Sequence, residues 1–310
     1  MSAPLTSLDR PNSYIGRSVP RPNAKRLLAG RGRYISDLKL PRMLYAAFLR
    51  SPHAHAKIIA INIDEARAIE GVHLVATGVD LAKICTPWTG TLDHFKGMTS
   101  TPQLPLPLDR VVWAGQAVVA VVAESRAIAE DALELIEIDY QDLPLVVDID
   151  AARRAGGPLI NPESANNVCF RSQLDNGAVD DAFANAAHVV EEEFCFGRHT
   201  AVTLEPRAIV ADYDPSAGVL TVHHATQTPY QFQDLYSRHY GIPEARVRVI
   251  ATDIGGSFGM KLHVYHEDMA VVGLSILLGR PVKYVADRIE SFVSDIHARD
   301  HRVRARMALD

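Results

Sequence analysis

Residues 252–261, TDIGGSFGMK, gather three glycines around one serine and one phenylalanine, directly after a run that reads as a strand. A backbone with so few side chains can approach a flat or anionic group closely, and its N–H groups converge where a helix follows. The segment fits neither of two familiar phosphate-binding patterns. A dinucleotide fingerprint starting at Gly255 needs glycine at 257 and 260, where Ser257 and Met260 stand. A P-loop needs Ser or Thr after its lysine, and Lys261 is followed by Leu262. From these residues alone, the loop reads equally as a ligand-approaching segment and as a strand-to-helix turn in which Phe258 fills a core.

Other clusters carry weaker chemistry. His263, His266 and Glu267 form H-x-x-H-E, which matches neither order of zinc-protease ligands. His223 and His224 are adjacent on a strand pattern, face opposite sides and cannot chelate together. Arg288 and Glu290 flank Ile289 and read as an ion pair or a framework hydrogen bond. Cys85, Cys169 and Cys195 are widely spaced and odd in number, and read as buried thiols. They are too few for an iron-sulfur cluster, which takes about four thiolates.

The glycine loop needs elements to hold it. ARVRVIATDI (245–254) predicts the strand before it, and a helix from about His263 to Leu278 follows, with Gly279 and Pro281 as its stop. Upstream, DPSAG (214–218) predicts a hairpin turn between two β-rich runs, and the helix YQFQDLYSRHYG ends at Gly241. Residues 27–148 mix short strands with helical patterns at 64–70 and 125–136, the latter with Ser125 as its expected N-cap. RVVWAGQAVVAVVAE (110–124) has two apolar runs split by Ala114, Gly115 and Gln116 and predicts a hairpin or bulge. The fold class is α+β. ARRAGGPLINPES (152–164) reads as a linker, so the expected units are residues 1–160 and 161–310.

The chain has 310 residues, 47% of them hydrophobic, enough for a sizeable core. A net charge of -5 and a pI near 6.2 leave no broad basic surface for a phosphate backbone, so nucleic-acid binding is disfavoured. The longest apolar run, AVVAVVA (117–123), is far below membrane-spanning length, and the N-terminal 26 residues hold no continuous apolar segment. The expectation is a soluble, cytoplasmic protein without membrane insertion.

RSPHAHAKI (50–58) with GRGRYISDLKLPRMLYAAFLR leading into it, LEPRAIVADYD (204–214), ATQTPYQ (225–231), IGGSFGMK (254–261) and GRPVKYVADRIESF (279–292) occur in this order. In that order they resemble the molybdenum-binding subunit of the xanthine dehydrogenase, aldehyde oxidase and carbon monoxide dehydrogenase family. The resemblance implies an a/b hammerhead domain over residues 27–148 and the first part of a molybdopterin-binding domain over residues 161–310. It implies molybdopterin, in the cytosine dinucleotide form usual in bacterial members, with a molybdenum that hydroxylates carbon using water-derived oxygen. Electrons then pass to iron-sulfur clusters and FAD on partner subunits. The family's Gly-Phe-Gly loop borders the cofactor, which makes Gly255, Gly256, Ser257, Phe258 and Gly259 cofactor-binding candidates, with Phe258 shielding the metal's oxo face. The Gln of the Thr-Gln motif, here Gln227, would donate its amide to a metal oxo group, so Gln227 and Phe258 are the catalytic candidates.

The same resemblance gives His53 and His55 a structural role in the hammerhead domain. Leu262 stands where xanthine dehydrogenases carry a Glu that helps bind purine, which disfavours a purine. The expected small-molecule substrate is an aldehyde or an N-heteroaromatic compound. A reading from another class is a non-catalytic binding or assembly module that keeps the fold and holds no metal.

HRVRARMALD (301–310) alternates Val303, Ala305, Met307 and Leu309 with Arg302, Arg304 and Arg306, a strand pattern with one apolar face. The expectation is an unpaired edge, and a split or truncated subunit completed by the C-terminal half of the molybdenum subunit on another chain, which carries the family's general-base Glu.

Overall fold

The computed structural model describes residue 14, residues 17–90 and residues 95–310. The Pro, Arg and Ser pattern of residues 1–13 lies outside the described residues. In chain order the strands are β1 (Leu44–Arg50), β2 (Ala56–Asn62), β3 (Val72–Ala76), β4 (Arg110–Val111), β5 (Ala117–Ala123), β6 (Glu137–Asp142), β7 (His188–Phe196), β8 (Ala208–Asp214), β9 (Val219–His224), β10 (Val247–Ile250), β11 (Val282–Val285) and β12 (His301–Leu309).

β5 shows what the main sheet demands. Its residues AVVAVVA have no polar alternation and are all buried, so the strand needs cover on both faces. Ala117, Ala120 and Val122 join a core with Leu44, Phe48, Met269 and Val271, while Val118, Val119, Val121 and Ala123 pack with Ala129, Ala132 and Ile136. The second group comes from the helix Arg126–Leu133 and its exit, and Ser125 caps that helix by accepting from the Ile128 N–H at 3.2 Å.

The main sheet has the order β10-β9-β8-β11-β1-β5-β3. β1 runs parallel to β11 with Leu44 opposite Val282 and Tyr45 opposite Lys283. Strands from both halves of the chain therefore share one sheet. β4-β2-β6 form a smaller sheet. The DPSAG turn joins antiparallel β8 and β9, with Gly218 at φ 62° and its N–H bonded to the Asp214 carbonyl at 2.8 Å. The helix His266–Leu278 packs on this sheet, with residues 267–275 buried, including two carboxylates.

Several expectations need correction. Residues 110–124 are not a hairpin, because β4 pairs with β2 while β5 pairs with β1 and β3. The Gln116 side chain accepts from the Val112 N–H at 2.9 Å, and Gly115, at φ 95°, donates to the Ser51 carbonyl at 2.8 Å. These bonds turn the chain from one sheet into the other. Of the cysteines only Cys85 is buried, and burial pushes its thiol up to about 11. Cys169 and Cys195 are exposed.

β12 is paired over its whole length, from His301 opposite Phe196 to Leu309 opposite His188 on β7. Its arginines bond across the ribbon, Arg302 to Glu193 at 3.0 Å and both Arg304 and Arg306 to Glu191. The Arg306 guanidinium also lies over the Phe183 ring at 4.5 Å, on the helix Val179–Asn185. Val303, Met307 and Leu309 stay exposed with Val190 and Phe194, because a two-stranded ribbon has no third layer to cover that face.

Candidate functional site

β10 ends at Ile250 and the next long helix begins only at His266. The strand-to-helix turn expected from the sequence is thus a longer connection, interrupted by one 3-10 turn at Met260–Leu262. Positive φ at Gly256 (104°), Phe258 (52°) and Gly259 (88°) prevents the chain from entering a helix earlier. The dipole of the His266–Leu278 helix, which acts within about one turn of its end, does not reach the glycines.

Each glycine has a separate cause. A Cβ on Gly255 would lie 2.5 Å from the Cβ of Glu205, so another segment of this chain leaves no room there. On Gly256 it would meet the Phe258 ring at 3.3 Å, whereas Gly259 faces open space. Phe258 holds a left-handed conformation at a cost of about 1–3 kcal/mol. Its ring is 80% exposed, so it does not fill a core.

Gln227 lies between β9 and the helix Pro229–Tyr240, one residue before the Thr228 N-cap. Its backbone N–H donates to the Lys261 carbonyl at 3.1 Å, and the Thr226 hydroxyl donates to the same oxygen at 2.9 Å. Gln227 thereby stands beside the glycine loop. It is exposed, and among the described residues its side-chain amide has no partner.

Two residues that the sequence did not mark as site candidates join these segments. Glu205 Oε2 accepts from the Gly255 N–H at 2.7 Å and from Lys261 Nζ at 2.9 Å, and the Glu205 N–H donates to the Gly255 carbonyl at 3.1 Å. The Lys261 N–H donates to Ser257 Oγ at 3.1 Å. Lys261 is 3% exposed; burial pulls its ammonium down from the usual lysine value, and Glu205 works against that. The root of the loop is tied separately. Asp253 accepts from both terminal nitrogens of Arg26, at 2.7 and 2.6 Å, and from the Arg33 N–H at 2.8 Å. The Arg26 hydrogen bonds hold its carboxyl at about 2.

Behind the loop lies a buried ionic network. Arg207 donates to Asp295 at 2.6 Å, to Ser294 at 2.6 Å and to Glu267 at 3.2 Å, and Arg50 from β1 meets Glu267 at 2.6 Å. Burial alone would raise Glu267, but the Arg207 and Arg50 charges outweigh it and hold the carboxyl well below its ordinary range. Arg207 also stacks on the Tyr265 ring at 3.9 Å, and the Tyr265 hydroxyl donates to the Met260 carbonyl at 3.0 Å.

The remaining candidates have framework roles. Arg288 donates to the carbonyls of Thr203 and Leu204, and Glu290 pairs with Arg50 at 3.2 Å. His53 bonds Asp142, His55 donates to the Pro144 carbonyl, His266 donates to the Leu104 carbonyl and buried His224 meets Asp268 at 3.3 Å. Among the described residues, no group of three His, Cys, Asp or Glu could hold a metal ion. Two clefts of about 710 Å³ are lined by Trp113, Gln103 and His266, and neither includes Gln227 or residues 255–259. The candidate residues are therefore an exposed aromatic ring, an exposed neutral amide and the open backbone of Gly259 in neighbouring segments. That set suits a flat group with polar edges.

The models of two protein domains match the chain. Residues 29–144 match the a/b hammerhead domain of aldehyde oxidase and xanthine dehydrogenase, and residues 160–310 match the molybdopterin cofactor-binding domain. The chain belongs to the aldehyde oxidase and xanthine dehydrogenase family. Its α+β architecture is that family's hammerhead domain followed by molybdopterin-binding structure. It is 38% identical to the nicotine 6-hydroxylase large subunit of Paenarthrobacter nicotinovorans over 97% of this chain and 38% of that one. It is 33% identical to the carbon monoxide dehydrogenase large chain of Hydrogenophaga pseudoflava over 99% of this chain and 40% of that one. Quinoline 2-oxidoreductase from Pseudomonas putida 86 superposes with a TM-score of 0.91 at 40% identity, covering 95% of this chain and 37% of that one. The chain thus spans about two fifths of the length of these family members.

Proposed function

We propose that the chain forms one wall of the molybdenum site in an oxidoreductase that hydroxylates an aldehyde or N-heteroaromatic substrate. The observation that carries this reading is the exposed Phe258, held in a left-handed conformation in a loop whose Lys261 carbonyl is bonded by the backbone N–H of exposed Gln227. When bound, molybdopterin, in its cytosine dinucleotide form, supplies the molybdenum that takes up electrons as a substrate carbon gains oxygen. The residues present fit such a group. Gly259 leaves open space, and Gln227 offers a neutral donor that adds no charge to a desolvated site. Phe258 excludes water from the face it covers.

In this reading residues 1–160 and 161–310 act as the hammerhead and cofactor-binding units. The remainder of the molybdenum subunit supplies the general-base Glu and covers the apolar face of the β7/β12 ribbon. Iron-sulfur and FAD subunits carry electrons away, and the assembly works in the cytoplasm. The test is the metal and nucleotide content of the native assembly. Molybdenum and cytosine nucleotide in equal amounts per copy of this chain support the reading, and their absence from a folded, intact assembly would sink it.

A further inference from the structure

We propose that Glu205 and Lys261 are a positioning pair that sets the place of Gln227 relative to the glycine loop. The proposal rests on the cofactor reading above and adds to it two residues which that reading does not use. Lys261 touches each part of the site with a different atom. Its Nζ meets Glu205, its N–H meets Ser257 and its carbonyl holds both Gln227 and Thr226. Glu205 in turn grips Gly255 through both its carboxylate and its backbone N–H, and its close approach is the reason residue 255 carries no side chain.

Stability alone does not explain the pair. A buried ion pair is a weak source of stability, because desolvation of both charges offsets their attraction, and an apolar pair of similar volume would pack as well. Here the Lys261 ammonium is buried and, among the described residues, Glu205 Oε1 has no partner. What the pair does provide is rigid connection. Glu205 lies two residues before Arg207, which is fixed by Glu267, Asp295 and Ser294, so the carboxylate extends the immobile ionic core to an otherwise open loop. Lys261 is buried, and the pair acts through Gln227 and the loop backbone.

The first measurement needs no cofactor. Glu205→Gln keeps an acceptor for the Gly255 N–H but removes the charge opposite Lys261. In the full chain it should speed hydrogen exchange of the Gln227 amide by about tenfold while β5 and β8 amides keep their rates. Lys261→Met carries the same readout should Glu205→Gln not fold. In the assembled enzyme either variant should retain molybdenum to within about twofold, and kcat per bound molybdenum should fall about tenfold with KM nearly unchanged. The double variant should fall no further than the worse single one, as expected of residues acting as a unit. Unchanged Gln227 exchange, or a lowered Tm and molybdenum content with unchanged kcat per molybdenum, would overturn the proposal. Absence of molybdenum from the unsubstituted assembly would overturn the cofactor reading alone, since the exchange experiment still judges the pair.

Discussion

The seven-stranded sheet and the β7/β12 ribbon both present apolar strand faces, and those faces end in opposite states. β5 is apolar on both faces and buried at every position, whereas β12 alternates apolar residues with Arg302, Arg304 and Arg306 and is exposed at nearly every position, its apolar face included. For that apolar face the difference is the number of layers. β5 lies between β1 and β3 with packed side chains above and below, whereas the ribbon has one partner strand and one short helix on its charged face. Strand formation follows from local pattern, but the stability of a strand follows from what covers it.

Substitutions can break or sharpen this contrast, and their expected effects on stability decline in the following order. Val121→Asp places a charge in the core shared with Ala129, Ala132 and Ile136 and should destabilise by more than about 4 kcal/mol, so that the chain no longer gives a cooperative thermal transition. A cooperative transition near the original Tm would mean that β5 is not the structural centre. Glu267→Gln removes the buried carboxylate shared by Arg50 and Arg207, leaving Arg50 with Glu290 and Arg207 with Asp295, and should cost about 3 kcal/mol in urea unfolding. A loss under 1 kcal/mol would show that the network is hydrated and loosely held.

The loop belongs between these extremes. Gly256→Val forces a β-branched residue to positive φ and should cost about 1–3 kcal/mol while lowering the cofactor content of the assembly. Full cofactor retention would return the loop to a purely structural role. Val303→Thr on the ribbon should change the stability of the isolated chain by less than about 0.5 kcal/mol and reduce its self-association in sedimentation. A large destabilisation would show that the ribbon face is already covered. Gln227→Leu should leave Tm unchanged and lower turnover per bound molybdenum, because its side-chain amide has no partner to lose among the described residues. Unchanged turnover would remove Gln227 from the site.

Local chemistry was legible in the residues alone. The Ser125 cap, the DPSAG hairpin, the Gly241 and Gly279 helix stops and the Arg302, Arg304 and Arg306 alternation each depend on neighbours within a few positions, and each is present. Ordered motifs also pointed to the hammerhead and molybdopterin-binding architecture. Long-range pairing was not legible. Nothing near Leu44 announces Val282, nothing near Gly115 shows that β4 and β5 part into different sheets, and Glu205 is an ordinary residue until Lys261 arrives from 56 positions away. The sequence by itself determined which segments become strands, helices and turns, because dihedral preference and apolar period act over one or two turns of chain. Only the tertiary structure decided which strands share a sheet, which glycine is required by which neighbour and which carboxylates find a cation, because these depend on close packing between segments far apart in sequence.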